Sequence, residues 1–379
     1  MRVISISLDS KICDNKSPVF KRMKDYATLT DEMHIICFTT DKKLPELIDG
    51  NLFVYPTNSR TQLNQIFDAY KIGKKIIKKR NFGKNDSIIT TQDPFESGVA
   101  GYLLKLKFGL RLNIQDHGNV FESNYWWKKS IFNFLRYPLG KLMIKKSDSI
   151  RTVSLREKKY IEKTMNYNHE KIINFPIFID WEKISAYEPK FNLKQKYPGF
   201  DFYMLTLCRL EKVKNIPLLL DSFSKIIKEF PKTLLIIVGG GSQKNSISNI
   251  IRHKNLQKNV VMENWTDDPI SYYKTADLFI LTSFSEGWGL TIMEAAASKC
   301  PVVMTNTGCS NEFIFNEKNG WIVNINDANE LFKAIKDAIL HKQKRIIFSQ
   351  AAFTNLANMP NKEQTLAKLK KSWEIALNQ

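Results

Sequence analysis

Short runs of consecutive apolar residues, rich in Val and Ile, alternate along the chain with longer stretches in which apolar positions recur every three or four residues. The first pattern predicts strands buried on both faces and the second predicts helices. Their alternation predicts βαβ units, with parallel sheets covered by helices on either side. In the first half, strands are expected over residues 3–8, 34–38, 52–55, 87–90, 112–115, 149–153 and 172–175. In the second they are expected over 202–207, 234–238, 260–262, 278–282, 301–304 and 321–323. Between the halves, residues 180–200 hold Pro189, Pro198 and many charges with little periodicity, which suits a linker. A first domain over 1–180 and a second over 181–361 are therefore expected. A final helix over 362–379, with Leu366, Leu369, Trp373 and Leu377 along one face, is expected to pack back on the first.

The length of 379 residues agrees with two cores rather than one, and 43% hydrophobic with 25% charged residues is an ordinary globular balance. No apolar run is long enough to span a bilayer, and the opening residues become charged too soon for a signal peptide, so a cytoplasmic location is expected. Cys13, Cys37, Cys208, Cys300 and Cys309 are odd in number and include no C-x-x-C pair, which predicts reduced thiols. The formal charge of +19 changes the picture more, because it implies an anionic partner: a phosphorylated ligand, an acidic membrane surface or nucleic acid. Residues 1–180 hold 31 Lys+Arg against 19 Asp+Glu, and the remainder 26 against 19, so the excess leans toward the first half. It concentrates at residues 71–80 and 125–146.

The segment with most chemical content follows the expected strand 278–282. Glu286 stands at the strand exit, Gly287, Trp288 and Gly289 make a flexible turn, and Glu294 follows eight positions after the first acid. If a helix starts near Leu290, its free N–H groups face the C-terminal edge of the sheet, where anions bind in open α/β folds. Taken alone, the two acids also fit solvated positions at a helix start. Arg209 and Lys214 follow the strand 202–207, where a guanidinium fork and an ammonium can together hold a diphosphate.

With these residues in place the chain resembles the large retaining glycosyltransferase family 4 (glycosyl transferases group 1), whose hallmark is Glu, seven residues, Glu, as in Glu286 and Glu294. Arg209-Leu210 with Lys214-Asn215 is similar to the family's Arg-Leu and Lys pair, and Val238-Gly239-Gly240-Gly241 to its Gly-x-Gly turn. The resemblance implies the α/β GT-B architecture: two Rossmann-like domains with parallel sheets facing across a cleft. It further implies that Arg209 and Lys214 hold the diphosphate of a UDP- or GDP-linked sugar, that Glu294 accepts from the ribose hydroxyls, and that Glu286 contacts the sugar ring. The turn Gly287-Trp288-Gly289-Leu290 would offer N–H groups to the donor, Asn264-Trp265-Thr266 would meet the base, and His117, in Gln115-Asp116-His117-Gly118, would touch the transferred sugar. A lone His also fits a structural role. Thr91 to Phe95 resembles a cleft-lining turn of the family, although Asp93 also suits a helix N-cap.

Three departures stand out: the family's paired glycines are missing after the first strand (Asp9 to Pro18), Cys208, Lys299 and Cys309 stand where the family often has glycine, and Ile177-Phe178 replaces its common Asn-Gly. No Asp-x-Asp motif occurs, so neither metal nor other cofactor is expected, the nucleotide-sugar serving as co-substrate. The aromatic and basic residues from Tyr125 to Arg136, Lys129 among them, with Lys141, Lys145 and Lys146, fit either a lipid-facing acceptor side or a core helix with snorkelling lysines. The expected activity is hexosyl transfer with retention to a hydroxyl acceptor, a lipid-linked or cell-surface glycan. Two rivals remain: a nucleotide-sugar epimerase of the same architecture, and a basic nucleic-acid-binding protein, which would leave Glu286 and Glu294 unexplained.

Overall fold

The computed structural model describes residues 1–40, 43–128 and 130–379, and excludes the side chain of Asn124; Lys129 of the aromatic and basic segment lies outside the described residues. The chain forms two units, Met1–Pro176 with Asn361–Gln379, and Ile177–Pro360.

The first unit is built on eight strands: β1 (Arg2–Ser7), β2 (Glu32–Cys37), β3 (Leu47–Asp49), β4 (Leu52–Pro56), β5 (Ser87–Thr91), β6 (Arg111–Asp116), β7 (Ser149–Thr152) and β8 (Ile172–Asn174), in the spatial order β3-β4-β2-β1-β5-β6-β7-β8. Each expected strand is present. The sheet is not wholly parallel, however, because β3 adds an antiparallel edge to β4 through a turn at Gly50, whose φ is +62°. Three residues are too few to show a period, which hides β3 from a pattern reading. In β1, Ile4 and Ile6 face a core shared with Ile76, Leu104 and Ile144, whereas Val3 faces Phe20, Met33 and Trp373. Asn64–Arg80, Glu96–Phe108 and Ile131–Lys146 therefore cover one face, and Pro18–Ala27 with Lys362–Leu377 the other. The last helix opens with a capping box between Asn361 and Gln364 and buries Leu369, Trp373 and Ala376.

The second unit carries β9 (Phe202–Leu207), β10 (Thr233–Val238), β11 (Val260–Glu263), β12 (Leu278–Leu281), β13 (Val302–Thr305) and β14 (Trp321–Val323), ordered β11-β10-β9-β12-β13-β14 and parallel throughout. The direction of strand addition reverses between β9 and β12, the switch point at which ligands bind in open α/β sheets. Residues 180–200, with little periodicity in sequence, form the short helices Trp181–Ala186 and Leu193–Lys196 within this unit. They are tied to it by the Lys190 N–H donating to Ser271 Oγ at 2.8 Å and the Tyr197 hydroxyl donating to Glu263 Oε1 at 2.6 Å. Among the described residues no helix is long and apolar enough to cross a membrane.

Candidate active-site residues

The exits of β9, β10, β12 and β13 meet at the C-terminal edge of the second sheet. Lys214 ends a short 3-10 turn after β9, and its Nζ donates to Glu286 Oε1 at 2.5 Å, the two side chains being only 14% and 12% exposed. The Ser283 hydroxyl donates to the same oxygen at 2.5 Å, and the Glu286 N–H donates to Thr307 Oγ1 at 3.0 Å. The turn is pinned on its other flank by the Phe284 N–H on the Val213 carbonyl and the Thr282 hydroxyl on the Lys214 carbonyl. Ser283 opens the acidic segment recognised from sequence, whereas Thr307 and Gly308 were not singled out; both follow β13, so their signal was their place at another strand exit. Gly308, with φ +57°, lets that loop close on the acidic turn: a Cβ there would stand 2.6 Å from the Trp288 carbonyl oxygen.

Gly289 takes φ +96° and opens the helix Leu290–Ala297, leaving its first N–H groups without a side-chain cap. Trp288 is buried, and its indole nitrogen has no partner among the described residues. Glu294 lies one turn into the helix and accepts from the Tyr273 hydroxyl at 3.2 Å. Burial pushes its carboxyl up to about 6, against the lowering effect of that hydroxyl. Arg209 is exposed beyond β9. Gly239, with φ +151°, brings the β10 exit against the Cys208 carbonyl, and the next loop is joined to it by Ser242 donating its N–H and hydroxyl to the Glu211 carboxylate. Trp265, after β11, is 56% exposed, and Asn264 accepts from Lys244 Nζ. Lys299 takes φ +54°, the conformation for which glycine is suited at that position.

His117 belongs to the first unit, directly after β6. It is half-buried, with Nε2 3.1 Å from Gln115 Oε1, and burial followed by the positive charges of Arg151 and Arg22 holds its pKa well below the ordinary histidine value. The loop after it is anchored by two buried acids that sequence reading did not assign: Asp116 accepts the Gly118 N–H, and Glu157 accepts those of Phe121 and Glu122. Burial and the neighbouring Asp116 raise Glu157 well above the usual carboxylate range. Asp93 does not cap the next helix, whose N-cap is Phe95. It accepts instead from the Phe95 N–H and the Ser97 hydroxyl. After β1, where paired glycines are absent, Ser10–Cys13 forms a 3-10 turn, and Gln92 Oε1 accepts the Leu8 N–H and the Ser7 hydroxyl across the β1/β5 switch.

Residues 189–354 match the family model for Glycosyl transferases group 1. The chain is 30% identical over 183 residues to the poly(glycerol-phosphate) alpha-glucosyltransferase of Bacillus subtilis, a match covering 48% of this chain and only 26% of that protein. It is 27% identical over 319 residues to the UDP-Gal:alpha-D-GlcNAc-diphosphoundecaprenol alpha-1,3-galactosyltransferase of Escherichia coli, covering 80% of this chain and 79% of that one. In structure it is similar to sucrose-phosphate synthase of Thermosynechococcus elongatus (TM-score 0.82, 17% identity, 99% and 98% of the chains). It is also similar to Anabaena HepE solved in complex with UDP (TM-score 0.76, 15% identity, 99% and 100%). The chain thus has the GT-B fold of two α/β domains built on largely parallel sheets, and most of its second domain, residues 189–354, is similar to the glycosyl transferases group 1.

Proposed function

We propose that this protein is a retaining, metal-independent glycosyltransferase that moves a hexosyl group from a nucleotide-diphosphate sugar to a hydroxyl acceptor. The observation that carries the reading is the meeting of Lys214 and Glu286 at the β9/β12 switch beside the start of Leu290–Ala297. Cleaving an anomeric C–O bond builds positive charge on the sugar and negative charge on the departing diphosphate. An ammonium has three donors, so Lys214 can keep Glu286 and still reach a phosphate oxygen, joined by Arg209 and the uncapped helix start. Glu286 is thereby aimed at the sugar, while Glu294 accepts from the ribose hydroxyls and Trp265 offers a face to the base. UDP is the favoured nucleotide: the Escherichia coli relative's name gives UDP-Gal as donor, and HepE was solved with UDP.

A thermal-shift panel of UDP, GDP, ADP and their common sugars tests this reading, since a ligand that binds only the folded state stabilises it. A uridine nucleotide-sugar is expected to raise the melting temperature, and Glu294→Ala or Arg209→Ala to abolish the rise; no shift with any nucleotide would overturn the proposal. The rise also has a predicted pH dependence. Glu294 is uncharged below its value of about 6, and that form's contribution to stability is present at low pH and lost as pH rises through about 6. The ionised form accepts hydroxyl donors more strongly and at both oxygens, so affinity should fall as pH drops through that value. Glu294→Gln should flatten the profile.

The acceptor we propose is a lipid-linked or cell-surface glycan, met at an anionic membrane surface through the first domain. On the helix Ile131–Lys146, Ile131, Leu135, Leu139 and Leu142 form an exposed stripe at spacings of three and four, flanked by exposed Phe132 and Phe134 and by Lys141, Lys145 and Lys146. An apolar stripe edged with lysines fits an anionic bilayer surface better than a core helix does. Phosphatidylglycerol vesicles at low ionic strength should co-sediment the protein. Leu135→Asp with Leu139→Asp should weaken that binding by at least about tenfold, and failure of the unaltered protein to bind would refute the surface.

A further inference from the structure

A file of buried polar side chains crosses the first unit's otherwise apolar layer and ends at His117. It starts on the last helix, where the Ser372 carbonyl accepts from the Ser149 hydroxyl at 2.7 Å. Ser149 Oγ accepts from Asn113 Nδ2 at 2.8 Å, Asn113 Oδ1 accepts from the Thr90 hydroxyl at 2.8 Å, and Thr90 Oγ1 accepts from Gln115 Nε2 at 3.0 Å. At the other end Gln115 Oε1 accepts from Arg151 Nη1 at 2.8 Å. A backbone carbonyl only accepts and a guanidinium only donates, so each end alone dictates which way the Gln115 amide faces, and the two agree. The oxygen so placed also lies 3.1 Å from His117 Nε2. That nitrogen must therefore carry the hydrogen, which leaves Nδ1 with a lone pair. Nδ1 is buried and has no partner among the described residues.

We infer that Gln115 and Arg151 are positioning residues that fix His117 as the Nε2–H tautomer, so that Nδ1 accepts a hydrogen bond from a hydroxyl-bearing ligand. That the hydroxyl belongs to the transferred sugar rests on the function proposed above; the tautomer does not. Arg151 is itself buried, makes no ion pair with a described carboxylate, and lies 4.0 Å over the Phe175 ring; its charge acts on Gln115 and the imidazole and also on the Tyr26 hydroxyl of Pro18–Ala27. The other charged or titratable groups around His117 are Arg22 on Pro18–Ala27, Asp116 beside it and Glu157 on Leu155–Met165. A neutral His117 can take a ligand proton donor at Nδ1, whereas an imidazolium could not.

The test is the long-range 1H–15N spectrum of 15N-histidine-labelled full-length protein at neutral pH, with the His117 signal assigned by its loss in His117→Gln. The expected result is a neutral Nε2–H pattern that Gln115→Leu converts to a tautomer mixture and Gln115→Glu moves toward imidazolium. An Nδ1–H or charged pattern in the unaltered protein overturns the inference, as does a pattern unchanged in both Gln115 variants. In turnover of the nucleotide-sugar, Gln115→Leu should lower kcat/KM by about tenfold; because it also leaves Arg151 and Thr90 without a buried partner, its melting temperature should fall, and turnover is therefore compared well below the melting range of both proteins. If the unaltered protein turns over no nucleotide-sugar, the functional proposal fails and the tautomer is still decided by its spectrum.

Discussion

Gly239→Ala is expected to destabilise the second domain by at least about 3 kcal/mol, through backbone strain added to overpacking. The backbone at Gly239 lies at φ +151°, and a Cβ there would stand 2.0 Å from the Cys208 carbonyl oxygen. Neither neighbour is free to withdraw. The Gly239 N–H is bound to the Glu263 carbonyl at 3.0 Å, the Cys208 N–H to the Val238 carbonyl at 3.1 Å, and the Leu210 N–H to the Gly240 carbonyl at 2.8 Å. Relief would require parting the exits of β9 and β10, the same loops that present Arg209 and Lys214. The adjacent Gly240 supplies the control, since a Cβ at that position meets nothing within 4 Å. Denaturant midpoints of the two alanine variants should differ widely, with Gly240→Ala near the unaltered protein. Equal midpoints would mean that the approach of the two loops is not fixed.

Lys214→Ala should reduce kcat by roughly 10²–10³-fold, the usual cost of removing one preorganised donor from developing charge. It should also lower stability, because Glu286 is left as an almost buried carboxylate held, among the described residues, by the Ser283 hydroxyl alone. The two effects can be separated. In Lys214→Ala combined with Glu286→Gln the unpaired charge is gone, so the melting temperature should partly recover. Turnover should not, because neither the ammonium nor the acid is restored. A kcat within about threefold of the unaltered enzyme in Lys214→Ala would remove this lysine from the chemistry.

Strand positions were legible because parallel strands buried on both faces read as continuous apolar runs, and 202–207 and 321–323 coincide with β9 and β14. The site was legible only as separate pieces. Lys214 and Glu286 stand 72 positions apart, and their contact depends on β9 and β12 being neighbours, a matter of strand order to which no local period is sensitive. Thr307 reaches the acidic motif by the same long-range route. A local signal did exist for the first domain. Asn113, Gln115 and Arg151 interrupt apolar strands with side chains that need partners, and a buried strand tolerates such residues only when they bond to one another.

The return of Lys362–Leu377 to the first unit gives the order of synthesis a physical effect. Residues 1–176 leave the ribosome with the sheet face that will receive Leu369 and Trp373 still bare, and it remains so while all of Ile177–Pro360 is made. At typical elongation rates that interval lasts roughly ten to forty seconds. Through it the face around Ile88 and Phe175 is open to any passing apolar segment, so the nascent chain is exposed to aggregation, and in need of a chaperone, for as long as the second unit is being made.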